Sequence, residues 1–217
     1  AEDSKPRFQA ISEELAQLSA KFSENLLDAT NAFAEQVTDE AELAGLPDDA
    51  RQAAREAAEQ EGKSGWKFTL HMPSYLPVMQ YADSRRLRAA MYRAYATRAA
   101  EFGAVELDNT PLIRRILELR REQAQMLGYA NFAEVSLVPK MAESVPQVLG
   151  FLRDLAVRAR PVAEKDVADL RAFARDQLAL ETMEPWDIGY VSEKLLQARY
   201  AFSEQEVKQY FTEDKVL

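Results

Sequence analysis

Gly65-Trp66-Lys67-Phe68-Thr69-Leu70-His71-Met72-Pro73-Ser74-Tyr75-Leu76-Pro77-Val78-Met79-Gln80-Tyr81-Ala82-Asp83 is the stretch on which the reading of the fold turns. The sequence on either side of it has helical periodicity. Here the pattern alternates: Trp66, Phe68 and Leu70 fall on one side, Lys67, Thr69 and His71 on the other. Period two with aromatic residues is strand chemistry. Pro73 has no amide hydrogen for a ladder, so it is expected to stop the strand. Pro73 to Pro77 then reads as a rigid corner that delivers the chain into a helix. One short strand needs a partner for its backbone groups, and the best local candidate is Ala32 to Thr38, where Phe33 and Val37 lead into Thr38-Asp39-Glu40.

Composition narrows the function classes. The chain has 217 residues, 47% of them hydrophobic and 29% charged, which is the balance of a globular protein. Its net charge of −9 argues against nucleic acid, whose phosphates call for Lys and Arg. No apolar run approaches the ~20 residues that cross a bilayer. The first residues are polar, and no signal peptide is read there. Cysteine is absent, which excludes disulfides and fits a reducing cytoplasm. The only histidine is His71. Structural zinc sites are built mostly from Cys and His, and His-Glu-x-x-His needs two histidines, so neither is expected here. The chain begins without Met and ends on Thr212-Glu213-Asp214-Lys215-Val216-Leu217, which reads as a fragment of something larger.

The flanking sequence is expected to be helical almost throughout. Phe8, Ile11, Leu15, Leu18, Phe22, Leu26, Ala29 and Phe33 form a near-heptad stripe over residues 5 to 35. A stripe of this kind suits a coiled-coil partner helix or, more commonly, an arm packed inside its own protein. Pro47-Asp48-Asp49 opens a short, largely solvated helix ending at Gly62. Ser84 caps a helix to about Phe102, with Arg85, Arg86, Arg88, Arg93 and Arg98 on a solvated face paired with surplus carboxylates. Asn109-Thr110-Pro111 begins the next, closed by Gly128. Asn131 opens a short turn to Leu137. Ser144 caps a long helix on which Val148, Leu149, Leu152, Leu155 and Ala159 face inward, kinked at Pro161 and resuming through Val167, Leu170, Phe173 and Leu178. Asp187 starts a helix carrying Tyr190, Leu195, Leu196 and Tyr200. Ser203-Glu204-Gln205-Glu206 is a capping box for a last one with Val207, Tyr210 and Phe211. The fold class is therefore mainly α: long amphipathic helices in a bundle-like array with a small antiparallel β element around 33–38 and 66–72. Residues 1–217 read as a single helical fragment, with two helices in 1–64, strand and corner in 65–83, and a helical array in 84–217.

Pro185-Trp186-Asp187 with Tyr190 and Lys194, then Tyr200 and Tyr210-Phe211, resembles the M3 family of zinc metallopeptidases, and within it the bacterial oligopeptidases. Thr38 to Pro47, Tyr75-Leu76-Pro77-Val78-Met79 and the Arg-rich helix with Met91 and Tyr92 fit the same family, in order along the whole chain. The resemblance implies a mostly helical fold split by a deep channel, and a parent that hydrolyses short peptides in the cytoplasm with one zinc. That zinc is held by His-Glu-x-x-His and a further Glu, the motif Glu acting as general base on zinc-bound water. All of those groups lie C-terminal to the matched region. The resemblance thus carries no catalytic, cofactor-binding or metal-binding residue onto this chain. The expected partners are the missing C-terminal catalytic domain and, for the parent, peptide substrates; nucleic acid and membrane are not expected. Faces that meet the missing domain should be bare, leaving an apolar patch or self-association that hides it. A reading from another class is a free-standing helical interaction module built on the 5 to 35 stripe.

Individual side chains are read conservatively. His71 is placed on the polar face of the strand, as a surface or partly buried histidine rather than a ligand or base. Asp187 is read as a helix cap in preference to a catalytic carboxylate. Glu181, Glu184 and Asp187 have the spacing of metal ligands, but Pro185 breaks any shared helical face. Tyr75 and Tyr81 flank Pro77 and are candidates for a channel wall. There the strand offers backbone pairing to an extended peptide.

Overall fold

Trp66 to Phe68 do form a strand, and its partner is the segment picked out by sequence. In the computed structural model, which describes residues 4–201, 207, 210 and 211, β1 (Glu35–Val37) pairs antiparallel with β2 (Trp66–Phe68). Val37 lies opposite Trp66 and Glu35 opposite Phe68. Trp66 and Phe68 point into the core, and Lys67 points out to Glu61. Gly65 makes the approach possible. Its φ is +90°, and a Cβ there would lie 2.3 Å from the Val37 carbonyl oxygen, so no other residue fits without displacing the sheet.

The strand is shorter than the alternation suggests. Leu70 is buried like Trp66 and Phe68, but the ladder stops at Phe68. The Thr69 amide donates to the Ser74 hydroxyl at 2.9 Å instead. The proline corner is in fact a helix, α3 (Met72–Tyr81). Pro73 sits in its first turn, where no amide is needed, and Pro77 lies inside it.

By its internal contacts the chain divides into two units: residues 30–96 with 165–217, and residues 1–29 with 97–164. In the first unit, α2 (Asp48–Glu59) lies on β2 with Ala54 and Ala58 buried, small enough to let the backbones approach. α3 packs on α4 (Arg85–Ala96), and the core gathers Val37, Leu43, Phe68, Leu70, Leu87 and Met91. Each such side chain stabilises by ~1.5–3 kcal/mol. Ser84 caps α4 as expected, accepting from the Leu87 amide at 3.2 Å. That helix ends at Ala96, earlier than Phe102. A 3-10 turn (Pro185–Asp187) leads into α8 (Ile188–Tyr200), which lies on α3. Gly189 allows this contact, because a Cβ there would stand 3.2 Å from the Met79 carbonyl oxygen.

In the other unit, residues from α1 (Lys5–Ala32) meet α5 (Thr110–Met126). Ile11 and Leu119 are fully buried, and Arg7–Glu122 and Arg115–Glu14 bridge the two helices at 2.6 Å. The near-heptad stripe is thus an internal arm. Asn109 does not cap α5 with its side chain. Its amide donates to the Phe22 carbonyl and accepts from Asn25, each at 3.0 Å, while Asp108 accepts from the Thr110 amide. α6 (Phe132–Leu137) is capped by Asn131 as expected. Ser144 caps α7 (Val145–Leu178), which continues through Pro161 as one helix, its residues from 165 onward belonging to the first unit. Before Pro161 its expected inward face is exposed at Leu149, Leu152 and Leu155, whereas beyond it Leu170, Phe173 and Leu178 pack against Tyr190 and Val191. The capping box at 203–206 lies outside the described residues, as does most of the helix expected after it.

Candidate functional site

In the first unit the buried Arg88 and the partly exposed Arg85 converge on Asp187, at the start of α8. This carboxylate has no exposed surface. It accepts from Arg88 Nη2 at 2.8 Å, from Arg85 Nη2 at 2.7 Å and from the Glu184 amide at 2.9 Å. Asp187 therefore caps no helix amide of α8; it anchors the turn before α8 to α4. Burial pushes its carboxyl up, but the hydrogen bonds from Arg85, Arg88 and the Glu184 amide outweigh that, and it is held below the usual carboxylate range.

Arg88 is the other departure from a solvated arginine face. It is buried, its Nη1 donates to the Ala82 carbonyl at 2.6 Å, and its guanidinium lies 4.0 Å over the Tyr190 ring. Arg85 and Arg86 stay partly exposed: Arg85 reaches in to the buried Asp187, and Arg86 pairs with the half-buried Glu35 and Glu42. Beside Arg88, the Tyr190 hydroxyl donates to Asp83 at 2.8 Å, and Lys194 stands 3.4 Å from the same oxygen. Burial first, then the Asp83 hydrogen bond and charge, push the Tyr190 phenol up to about 12.

A general acid or base works best with a pKa near the operating pH and within reach of substrate. Asp187 is sealed from solvent and saturated with donors. Its chemistry is that of a fixed anion holding two cations, one of them fully desolvated. Trp186, beside it, is tilted against Tyr92 at 6.2 Å between ring centroids and keeps a buried indole nitrogen with no partner.

The remaining sequence candidates separate. His71 is exposed, past the end of β2, at the residue preceding α3. Its carbonyl accepts from the Ser74 and Tyr75 amides, each at 2.9 Å. Tyr75 is buried and stacked on Tyr95, with centroids 4.4 Å apart, so it forms no wall. Tyr81 does line an open groove of about 660 Å³ between α2 and α3, with Met72, Pro73, Leu76, Pro77 and Ala53. Spacing suggested Asp187 as a cap; its arginine partners lie 99 and 102 residues away in sequence, and no local pattern announces them.

Residues 78–217 match the sequence profile of peptidase family M3. The chain belongs to peptidase family M3. Oligopeptidase A of Salmonella typhimurium (strain LT2) is 49% identical over 97% of this chain and 31% of its own length. Oligopeptidase A of Escherichia coli (strain K12) is 48% identical over the same shares. A probable cytosolic oligopeptidase A of Arabidopsis thaliana is 42% identical over 100% of this chain and 32% of its own length. The chain spans about a third of the length of these M3 relatives. Among the described residues no three His, Cys, Asp or Glu side chains are grouped to hold a metal. With one His and no Cys in the whole chain, the donor set does not fit a zinc site of the usual kind. No described helix is long and apolar enough to cross a membrane.

Proposed function

We propose that this chain is the scaffold and one channel wall of a zinc-dependent oligopeptidase that hydrolyses short peptides. The metal and the catalytic groups belong to a part of the polypeptide outside these 217 residues, and no residue named above takes part in bond cleavage. The observation that carries this reading is colinear identity of 42–49% over 97–100% of the chain with relatives named oligopeptidase A, each about three times as long. The charged groups around Asp187 support the scaffold reading, since they tie α4 to the turn before α8. Absence of cysteine and the name of the cytosolic plant relative support a cytoplasmic setting. The acidic net charge argues against a nucleic-acid partner.

Reading the gene beyond Leu217 and assaying its whole product tests this. The expected product carries His-Glu-x-x-His downstream and cleaves a quenched fluorescent peptide of about ten residues, with loss of activity to a chelator and recovery with zinc. A frame that closes at Leu217 would favour the helical interaction module instead.

A further inference from the structure

The twenty residues from Leu149 to Ala168 of α7 are all exposed. They make roughly 30 Å of helix at 1.5 Å per residue. A helix of that length without packing is marginal in water, because most helical stability in proteins comes from burying an apolar face. The apolar face exists. Val148, Phe151, Leu152, Leu155, Ala159 and Val162 fall within a wedge of about 100° at 100° per residue. Phe151 is 62% exposed, Leu152 52%, Leu155 47% and Val162 62%. Together these four present several hundred Å² of apolar surface, on the order of the largest patches tolerated on a soluble monomer. Elsewhere on the same stretch four charges pair along the helix: Arg158 with Asp154 at 2.9 Å and Arg160 with Glu164 at 2.7 Å. An apolar stripe flanked by a charged surface is the anatomy of an interface core and rim.

We infer that this face of α7 is the seam on which the rest of the M3 polypeptide docks. The inference rests on the reading of the chain as part of a longer oligopeptidase. About two-thirds of the length of the M3 relatives lies outside the matched region, which supplies an occupant with a core of its own. The occupant is an apolar helical face with polar edges, held to this chain by its own backbone, and the contact is permanent.

The cysteine-free sequence makes a direct test available. Single cysteines are introduced as Leu152→Cys and Leu155→Cys on the stripe, with Val162→Cys as a further probe and Arg153→Cys on the charged side as control. Maleimide labelling at each site is followed by peptide mass spectrometry, in the 217-residue chain and in the whole gene product. The expected result is labelling at the stripe positions at least ten times slower in the whole product, with Arg153→Cys equally fast in both. Equal rates at all sites would overturn the docking. Chelator-sensitive cleavage by the same whole-product sample then reports separately on the peptidase reading. Protection that appears in the 217-residue chain alone and grows with its concentration would also overturn it, by placing a second copy on the stripe.

Discussion

Arg88 Nη2 lies 2.8 Å from Asp187 Oδ1 with both side chains sealed from solvent, and this pair joins helix α4 to the turn that starts α8. Removing one member of such a pair strands the other as an uncompensated buried charge. Asp187→Ala is therefore expected to cost ~3–5 kcal/mol. Arg85 contacts the same carboxylate but is 41% exposed, and Arg85→Ala is expected to cost no more than ~1 kcal/mol. Both tryptophans, Trp66 and Trp186, sit in the unit that holds the pair, so urea unfolding followed by their fluorescence reads that unit. Equal midpoints for the two variants would contradict this ranking.

Asp187 also gives the protein an acid limb. Its folded pKa lies below the ordinary value, which is about 3.9 in an unfolded chain. Its contribution is therefore present above pH ~3.9 and is lost as the pH falls through the lower folded value. Glu14, Glu122 and Asp169 are shifted in the same direction by their own cationic partners, so the informative quantity is a difference. Between neutral pH and pH 3, the Asp187→Asn chain is expected to lose less stability than the parent chain. Parallel losses would remove Asp187 from the account of acid unfolding.

Tyr190 sets the opposite limb. Its phenol is raised to about 12 by burial and by Asp83, against an unfolded value near 10. A raised folded pKa means that its contribution is whole below pH ~10 and is lost as the pH rises through about 12. Tyr190→Phe is expected to cost ~0.5–1.5 kcal/mol at neutral pH for the lost hydrogen bond, and to flatten the stability profile between pH 10 and 12. An unchanged alkaline profile would show that the phenol is not the group titrating there.

Gly65→Ala and Gly62→Ala differ in what the new methyl meets. Both glycines have positive φ, but a Cβ at Gly65 would stand 2.3 Å from the Val37 carbonyl oxygen, whereas at Gly62 it meets nothing within 4 Å. The expected cost at Gly62 is about 1 kcal/mol, from backbone conformation alone. At Gly65 the β1–β2 pairing must also open, and a loss greater by at least ~2 kcal/mol is expected. Urea midpoints for the two variants, read on the same tryptophans, decide it.

The sequence signals that proved readable were local. Ser84, Asn131 and Ser144 each accept from an amide three residues on, and Trp66 to Phe68 pair with the segment around Val37. Pro73 misled, because the same missing amide that stops a strand also suits the first turn of a helix. Asn109 misled in another way, since its side chain was claimed by α1 rather than by the helix it precedes. The Asp187 cluster was invisible, being assembled from residues about a hundred positions apart. The stripe on α7 was legible as a stripe, but periodicity says only that a face wants cover, not whether the cover lies within the same 217 residues.

The central claim is that this chain frames a peptidase without carrying its reaction centre. The most direct measurement is hydrolysis of a quenched short peptide by the purified 217-residue chain with added zinc. The account predicts a rate equal to that of zinc in buffer. Turnover above that level, abolished by a chelator and restored by zinc, would contradict it.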